Sequence, residues 1–174
     1  MSRAPSMNQV LDEWNRADET SAKAAMLACC GATRWADAMV AARPAHSVAT
    51  LSETADHIWA MMHEADWLEA FACHPRIGER KARPTGQFAA WSRQEQGSAA
   101  TASERILAEL AKKNVLYEQR FGFTYIVCAT GKSAEEMLVI LTRRLNRDRQ
   151  TELREAAEQQ RQITQIRLGK WLTQ

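Results

Sequence analysis

The chain is short of everything that interrupts a helix. Its 174 residues include only seven glycines and four prolines, and β-branched side chains are few. Alanine, leucine, glutamate, glutamine and arginine dominate, so helices are the expected material. Excess charge is missing too. The 23 basic side chains stand against 21 acidic ones, a net charge of +2, which excludes the basic stripe of a nucleic-acid binder. The Arg-rich stretch from Arg143 to Arg149 therefore reads as a solvated helix end rather than a phosphate patch. No apolar run approaches the ~20 residues that span a bilayer, so no membrane partner is expected. The four cysteines, Cys29, Cys30, Cys73 and Cys128, form no C-x-x-C pair. With no secretory pattern ahead of the domain, free thiols in a reducing cytoplasm are the expectation.

Several catalytic signatures are also missing. Gly131-Lys132-Ser133 ends like a phosphate loop, but Ile126 stands where that motif needs its first glycine. No G-x-S-x-G elbow exists for a serine hydrolase. His57 and His63 are six residues apart, on different faces of a helix, and His46 falls in a loop, so no metal site is expected. Cys73 precedes His74, but sequence neighbours rarely face each other, and an inert buried thiol is the simpler reading.

What is there reads as one all-α, single compact domain of about seven or eight helices, spanning residues 8–174 after a flexible lead of residues 1–7. Asn8 caps a first helix through Trp14. Asp18 to Ser21 opens an Ala-rich helix that ends by Gly31, and Thr33 caps a third helix through Ala42. A longer helical pattern starts at Ser47 or Thr50, continues through Trp67 and Phe71, and stops at His74-Pro75. The stretch from 76 to 97 is a polar loop with a helical turn near Trp91 to Gln96. Thr101 or Ser103 then caps a helix ending at Gly122. Phe121, Phe123, Tyr125 and Val127 alternate like a strand that has no partner. Ser133 to Glu136 forms a capping box, and a last helix runs from about Thr151 to Trp171.

Three places in this pattern invite chemistry. His74 sits where Pro75 forbids further helix, with its ring clear of the helix body, and imidazole titrates near neutral pH. Ser92, Glu95 and Gln96 present a hydroxyl, a carboxylate and an amide on one side of a turn. In the last helix, Leu153, Ala156, Ala157, Gln160, Ile163, Thr164 and Trp171 share an apolar face, and Arg167 falls in its middle. A guanidinium there needs an anion or a pocket; a snorkelling side chain or a structural ion pair with a local glutamate would also serve.

These segments together resemble one known family. Cys30-Gly31-Ala32-Thr33-Arg34-Trp35-Ala36, Cys73-His74-Pro75-Arg76-Ile77-Gly78-Glu79-Arg80, Trp91-Ser92-x-x-Glu95-Gln96-Gly97, Asn114-x-x-Tyr117-x-x-x-Phe121-Gly122-Phe123-x-Tyr125-Ile126-Val127-Cys128-Ala129-x-Gly131-Lys132-Ser133 and Ile163-x-x-Ile166-Arg167-Leu168 are similar to the 2-oxo-4-hydroxy-4-carboxy-5-ureidoimidazoline (OHCU) decarboxylases. The resemblance runs from about Asn8 to Leu172. It implies an all-α homodimer that needs no cofactor and converts OHCU to (S)-allantoin during urate breakdown. It assigns catalysis to His74 and Glu95 and substrate binding to Pro75, Ser92, Gln96, Ile126, Val127 and Arg167, with backbone groups of the extended segment forming the pocket floor. Two other readings stay open on the residues alone: a helical interaction module without activity, and a metal-dependent amidohydrolase of ureido compounds.

Overall fold

A computed structural model describes residues 8–77, 87–97 and 103–174. Among these residues it contains nine α-helices and no strand: α1 (Gln9–Arg16), α2 (Glu19–Cys29), α3 (Thr33–Ala41), α4 (Val48–Ala60), α5 (Glu64–Ala72), α6 (Gln87–Glu95), α7 (Glu104–Phe121), α8 (Ala134–Arg144) and α9 (Arg149–Trp171). The expected lead of residues 1–7, the Thr101 cap and the segments 78–86 and 98–102 lie outside the described residues. The helix count exceeds the expected seven or eight for local reasons. The Ser47–Phe71 pattern is two helices, broken where the His63 amide turns to donate to the Asp66 carboxylate at 2.9 Å. The turn near Trp91 is part of a nine-residue helix.

Most helix starts follow from short polar side chains that accept orphan amide protons. Asn8, Asp18, Ser47, Ser103 and Asp148 each accept from the amide three residues on. Ser133 and Glu136 complete the expected reciprocal box. Thr33 does not cap α3, because it already lies in the first turn. Glu69 of α5 does that work from across the fold, accepting from the Thr33 amide at 3.1 Å and from its hydroxyl at 2.5 Å. Gly122 ends α7 in the left-handed region at φ 81°, where a side chain would be strained. Gly31 is a glycine for a different reason. Its backbone is not left-handed, but a Cβ there would collide with the Cys73 sulfur.

The long helix α9, 23 residues or about 35 Å, is the spine. It packs against α2, α4, α5 and α7, burying Leu153, Ala156, Ala157, Ile163, Leu168 and Trp171. Indole donors pin the layers: Trp59 to the Ala157 carbonyl at 2.9 Å, Trp35 to Ala55 at 3.1 Å and Trp14 to Ala22 at 3.0 Å. No described helix is long and apolar enough to cross a membrane.

After Gly122 the chain runs extended, with Phe123, Tyr125, Ile126, Val127, Cys128 and Ala129 all buried. Both sides of this segment are covered by helices, so the apolar alternation expected of a half-exposed strand is absent. Its backbone groups bond to side chains instead of a neighbouring strand. Arg144 donates to the Ile126 carbonyl at 2.7 Å, Gln159 accepts from the Cys128 amide at 2.8 Å, and Lys132 donates to the Cys128 carbonyl at 2.8 Å.

Arg144 corrects the expectation that the Arg-rich stretch is solvated. It is 1% exposed, bonds Glu152 through Nε at 2.6 Å, and lies over the Tyr125 ring at 4.9 Å. The Tyr117 hydroxyl donates to the same Glu152 oxygen. Arg147 and Arg149 are also engaged, with Glu155 at 3.2 Å and Glu64 at 2.7 Å.

A buried pair of this kind contributes little net stability but is costly to break. Arg144→Met should therefore destabilise the fold by about 3–5 kcal/mol in urea unfolding, because Glu152 would be left charged and buried. Adding Glu152→Gln should restore most of that loss. Equal destabilisation in the single and double variants would show that packing, not the stranded charge, sets the cost.

Candidate active site

Four parts of the chain converge beside the middle of α9. The end of α5 supplies His74, Pro75 and Ile77; α6 supplies Ser92, Glu95 and Gln96. The extended segment supplies Tyr125, Ile126, Val127 and Ala129, and α9 supplies Ile163. Every residue expected to bind or react, apart from Arg167, lines this one cavity. Arg167 is wholly buried and tied to its α6 wall: its Nε and Nη2 donate to the two Glu95 carboxylate oxygens at 2.9 and 3.0 Å, and Nη2 reaches the Ser92 hydroxyl at 3.1 Å. The Ser92–Glu95 spacing of one helical turn makes this grip possible, since both side chains leave α6 on the same side. The structural ion pair weighed for Arg167 thus exists, but with a glutamate 72 residues away rather than a local one.

The cavity holds about 20 Å³, close to the space of a single water. Larger hollows occur elsewhere. One of about 370 Å³ is lined by Leu68, Ala72, Glu118, Gly122, Phe123 and Thr124, and none of these was expected to bind or react. The chemistry converges on the smaller cavity.

His74 follows the last turn of α5, its amide donating to the Phe71 carbonyl at 3.1 Å. Its Nε2 lies 2.6 Å from Oε1 of Gln160. Burial is the main reason its pKa is pushed down to about 3; the Arg167 charge pushes the same way, and the Gln160 bond opposes both. The ring is therefore neutral at physiological pH, able to accept a proton but carrying no charge of its own. Gln160 is the residue that sequence reasoning passed over. The signal was present in its place on the apolar face of α9, seven residues before Arg167, where a buried amide needs a partner.

The other candidate chemistries find no support in the geometry. His46, His57 and His63 are exposed, and among the described residues no group of three or more His, Cys, Asp or Glu side chains could hold a metal ion. Cys73 is exposed rather than buried as expected. Its thiol faces the Glu69 and Gly31 carbonyls at 3.5 and 3.9 Å, and partial burial followed by the Glu69 charge raises its pKa. It is not an activated thiolate.

A model of the OHCU decarboxylase family matches residues 15–169. The chain belongs to this family. It is 39% identical over 144 residues to the uric acid degradation bifunctional protein TTL of Arabidopsis thaliana, covering 82% of this chain and 44% of that protein. It is 34% identical over 98 residues to a 2-oxo-4-hydroxy-4-carboxy-5-ureidoimidazoline decarboxylase of Amia calva, covering 55% of each. The chain thus spans about half the length of the curated relatives it matches. Among solved structures, an OHCU decarboxylase crystallised in the presence of (S)-allantoin superposes with a TM-score of 0.76 at 34% identity, covering 91% of this chain and all of that one. An (S)-allantoin synthase shares the fold alone, with a TM-score of 0.67 at 15% identity.

The neutrality of His74 is directly measurable. Its Cε1 proton resonance should hold the neutral-imidazole position from about pH 8 down to about pH 5. The sign for stability follows. The unfolded ring binds a proton near 6.5 and the folded ring only near 3, so between those values the unfolded state binds more protons and stability falls as pH falls. A resonance midpoint near 6.5 in the folded protein would show an ordinary solvated histidine.

Proposed function

We propose that this chain decarboxylates OHCU, releasing CO2 and (S)-allantoin in the breakdown of urate. The observation that carries this reading is the shared cavity. His74, Glu95 and Ser92, with the Arg167 guanidinium behind them, meet Ile126 and Val127 within a family fold. The solved relative crystallised in the presence of (S)-allantoin supports the same ligand class for this cavity.

The reaction asks little of a cofactor. As the bond from the ring carbon to its carboxylate breaks, CO2 leaves and the electron pair passes into the conjugated ring, whose nitrogen takes a proton from water to give an enol. The enol collapses to the carbonyl as the neighbouring carbon takes a proton. His74, neutral and at the cavity wall, accepts a hydrogen bond from the 4-hydroxyl and draws off its proton as the carbonyl forms, the role of a general base. Arg167 stabilises negative charge as it develops on the ring system, with Glu95 and Ser92 holding the guanidinium in place. A preorganised charge in a water-poor site contributes several kcal/mol to such a step. Pro75, Gln96, Ile126 and Val127 shape the walls, so that one face of the planar intermediate meets the proton and the product is a single enantiomer. The four free thiols support a cytoplasmic setting. The family resemblance supports a homodimer, and the exposed Val115, Leu116 and Val139 of α7 and α8 offer apolar surface for it.

The test is circular dichroism of OHCU freshly made from urate by an oxidase and a hydrolase. Adding the protein should speed the rise of the (S)-allantoin signal, with or without a chelator. His74→Ala should lose that acceleration by at least about 1000-fold, in the range expected for a general base, while keeping its far-UV spectrum. Near-normal turnover by this variant would remove His74 from the chemistry, and loss of turnover with chelator would revive the metal-dependent amidohydrolase. Arg167→Ala should weaken product binding by roughly 100-fold; unchanged affinity would leave Arg167 a structural ion pair only.

A further inference from the structure

Gln160 has no part in the assignments above, yet it is fully buried and makes the 2.6 Å contact with His74. Which of its two terminal atoms faces the imidazole decides which histidine nitrogen carries the proton. The answer lies one turn along α9. The Thr164 hydroxyl donates to the Gln160 backbone carbonyl at 2.9 Å, the usual arrangement for a threonine inside a helix. With that proton directed to the carbonyl, the same oxygen accepts at its contact 3.1 Å from the Gln160 side chain, with the Cys30 thiol as a further neighbour. The Gln160 atom there must therefore be the amide nitrogen, which leaves the amide oxygen, an acceptor alone, against His74 Nε2. Thr164 is 5% exposed and Gln160 wholly buried, so the pair is shielded from bulk solvent.

We propose that Gln160, oriented by Thr164, is a positioning residue that fixes His74 as the Nε2–H tautomer, with the lone pair on Nδ1. The catalytic consequence rests on the decarboxylase reading; the tautomer itself does not. In the resting protein His74 is then an acceptor for a substrate hydroxyl and has no second proton to donate. Once it takes the hydroxyl proton, both ring nitrogens carry hydrogen and the Gln160 oxygen steadies the imidazolium, as a carboxylate does in a hydrolase triad. An amide does so more weakly than a carboxylate, since it carries no net charge to set against the imidazolium. The proton is thus held loosely enough to be returned to the enol-derived product within the same turnover. Among the described residues, Arg167 of α9 and Glu95 of α6 are charged groups beside the cavity, and they are bonded to each other.

Long-range proton–nitrogen NMR on the intact protein labelled with 15N-histidine reads the tautomer without substrate. His74 should show a protonated Nε2 and an unprotonated Nδ1; the opposite pattern overturns the proposal and leaves the functional reading untouched. Thr164→Val, nearly isosteric, releases the amide. It should give a mixed tautomer signal and lower kcat about tenfold with KM within about twofold. Gln160→Glu should move the His74 midpoint upward into the neutral range and slow turnover, and Gln160→Leu should lower kcat at least about 100-fold. Unchanged tautomer and kcat in Thr164→Val and Gln160→Leu would also overturn it. Failure of the unaltered protein to turn over OHCU would instead sink the functional reading while the NMR assignment stood.

Discussion

A guanidinium cannot be left alone in an apolar core, and much of this molecule is arranged around that constraint. Arg167 sits on the buried face of the central helix, where desolvating an uncompensated charge would cost several kcal/mol. Its answer is a bidentate bond to Glu95 supported by Ser92, and that bond brings α6 onto α9. The same positive charge helps burial keep His74 uncharged. One interaction therefore holds α6 at the cavity and adds to the burial that keeps His74 neutral.

The second buried arginine solves the same problem with a different result. Arg144 pairs with Glu152 and reaches the Ile126 carbonyl, so its charge anchors the cavity floor where that of Arg167 holds the α6 wall from behind. Two buried ion pairs at two depths hold the pocket between them. Neither is a strong net source of stability. Their worth lies in direction, because each leaves its neighbouring backbone or side chain a single satisfactory position.

Much of this was legible in the residues. Helical content, most caps, the break at Gly122 and the partnerless extended segment follow from local rules that tertiary contacts here reinforce. His74, Ser92, Glu95 and Arg167 stood out because each violated a pattern: a helix stop, a polar trio on one turn, a charge on an apolar stripe. What stayed hidden depends on distance in sequence. Thr33 looks like a cap, but Glu69 performs that function from α5. Arg144 looks solvated because its acceptors, Ile126 and Glu152, come from other segments. Gln160 looks like filler on a buried face until His74 arrives from 86 residues away. Periodicity reveals which face is buried and says nothing of what meets it there.

The extended segment from Phe123 to Ala129 has a consequence beyond the pocket. In a sheet, a backbone strand is held by a ladder of main-chain bonds that no single substitution can alter. Here Arg144, Gln159 and Lys132 hold it, and each is one codon from something else. The position of the cavity floor therefore depends on a few individual side chains rather than on a ladder. Burial from Tyr125 to Ala129 means that each such change is felt by the helices packed around it.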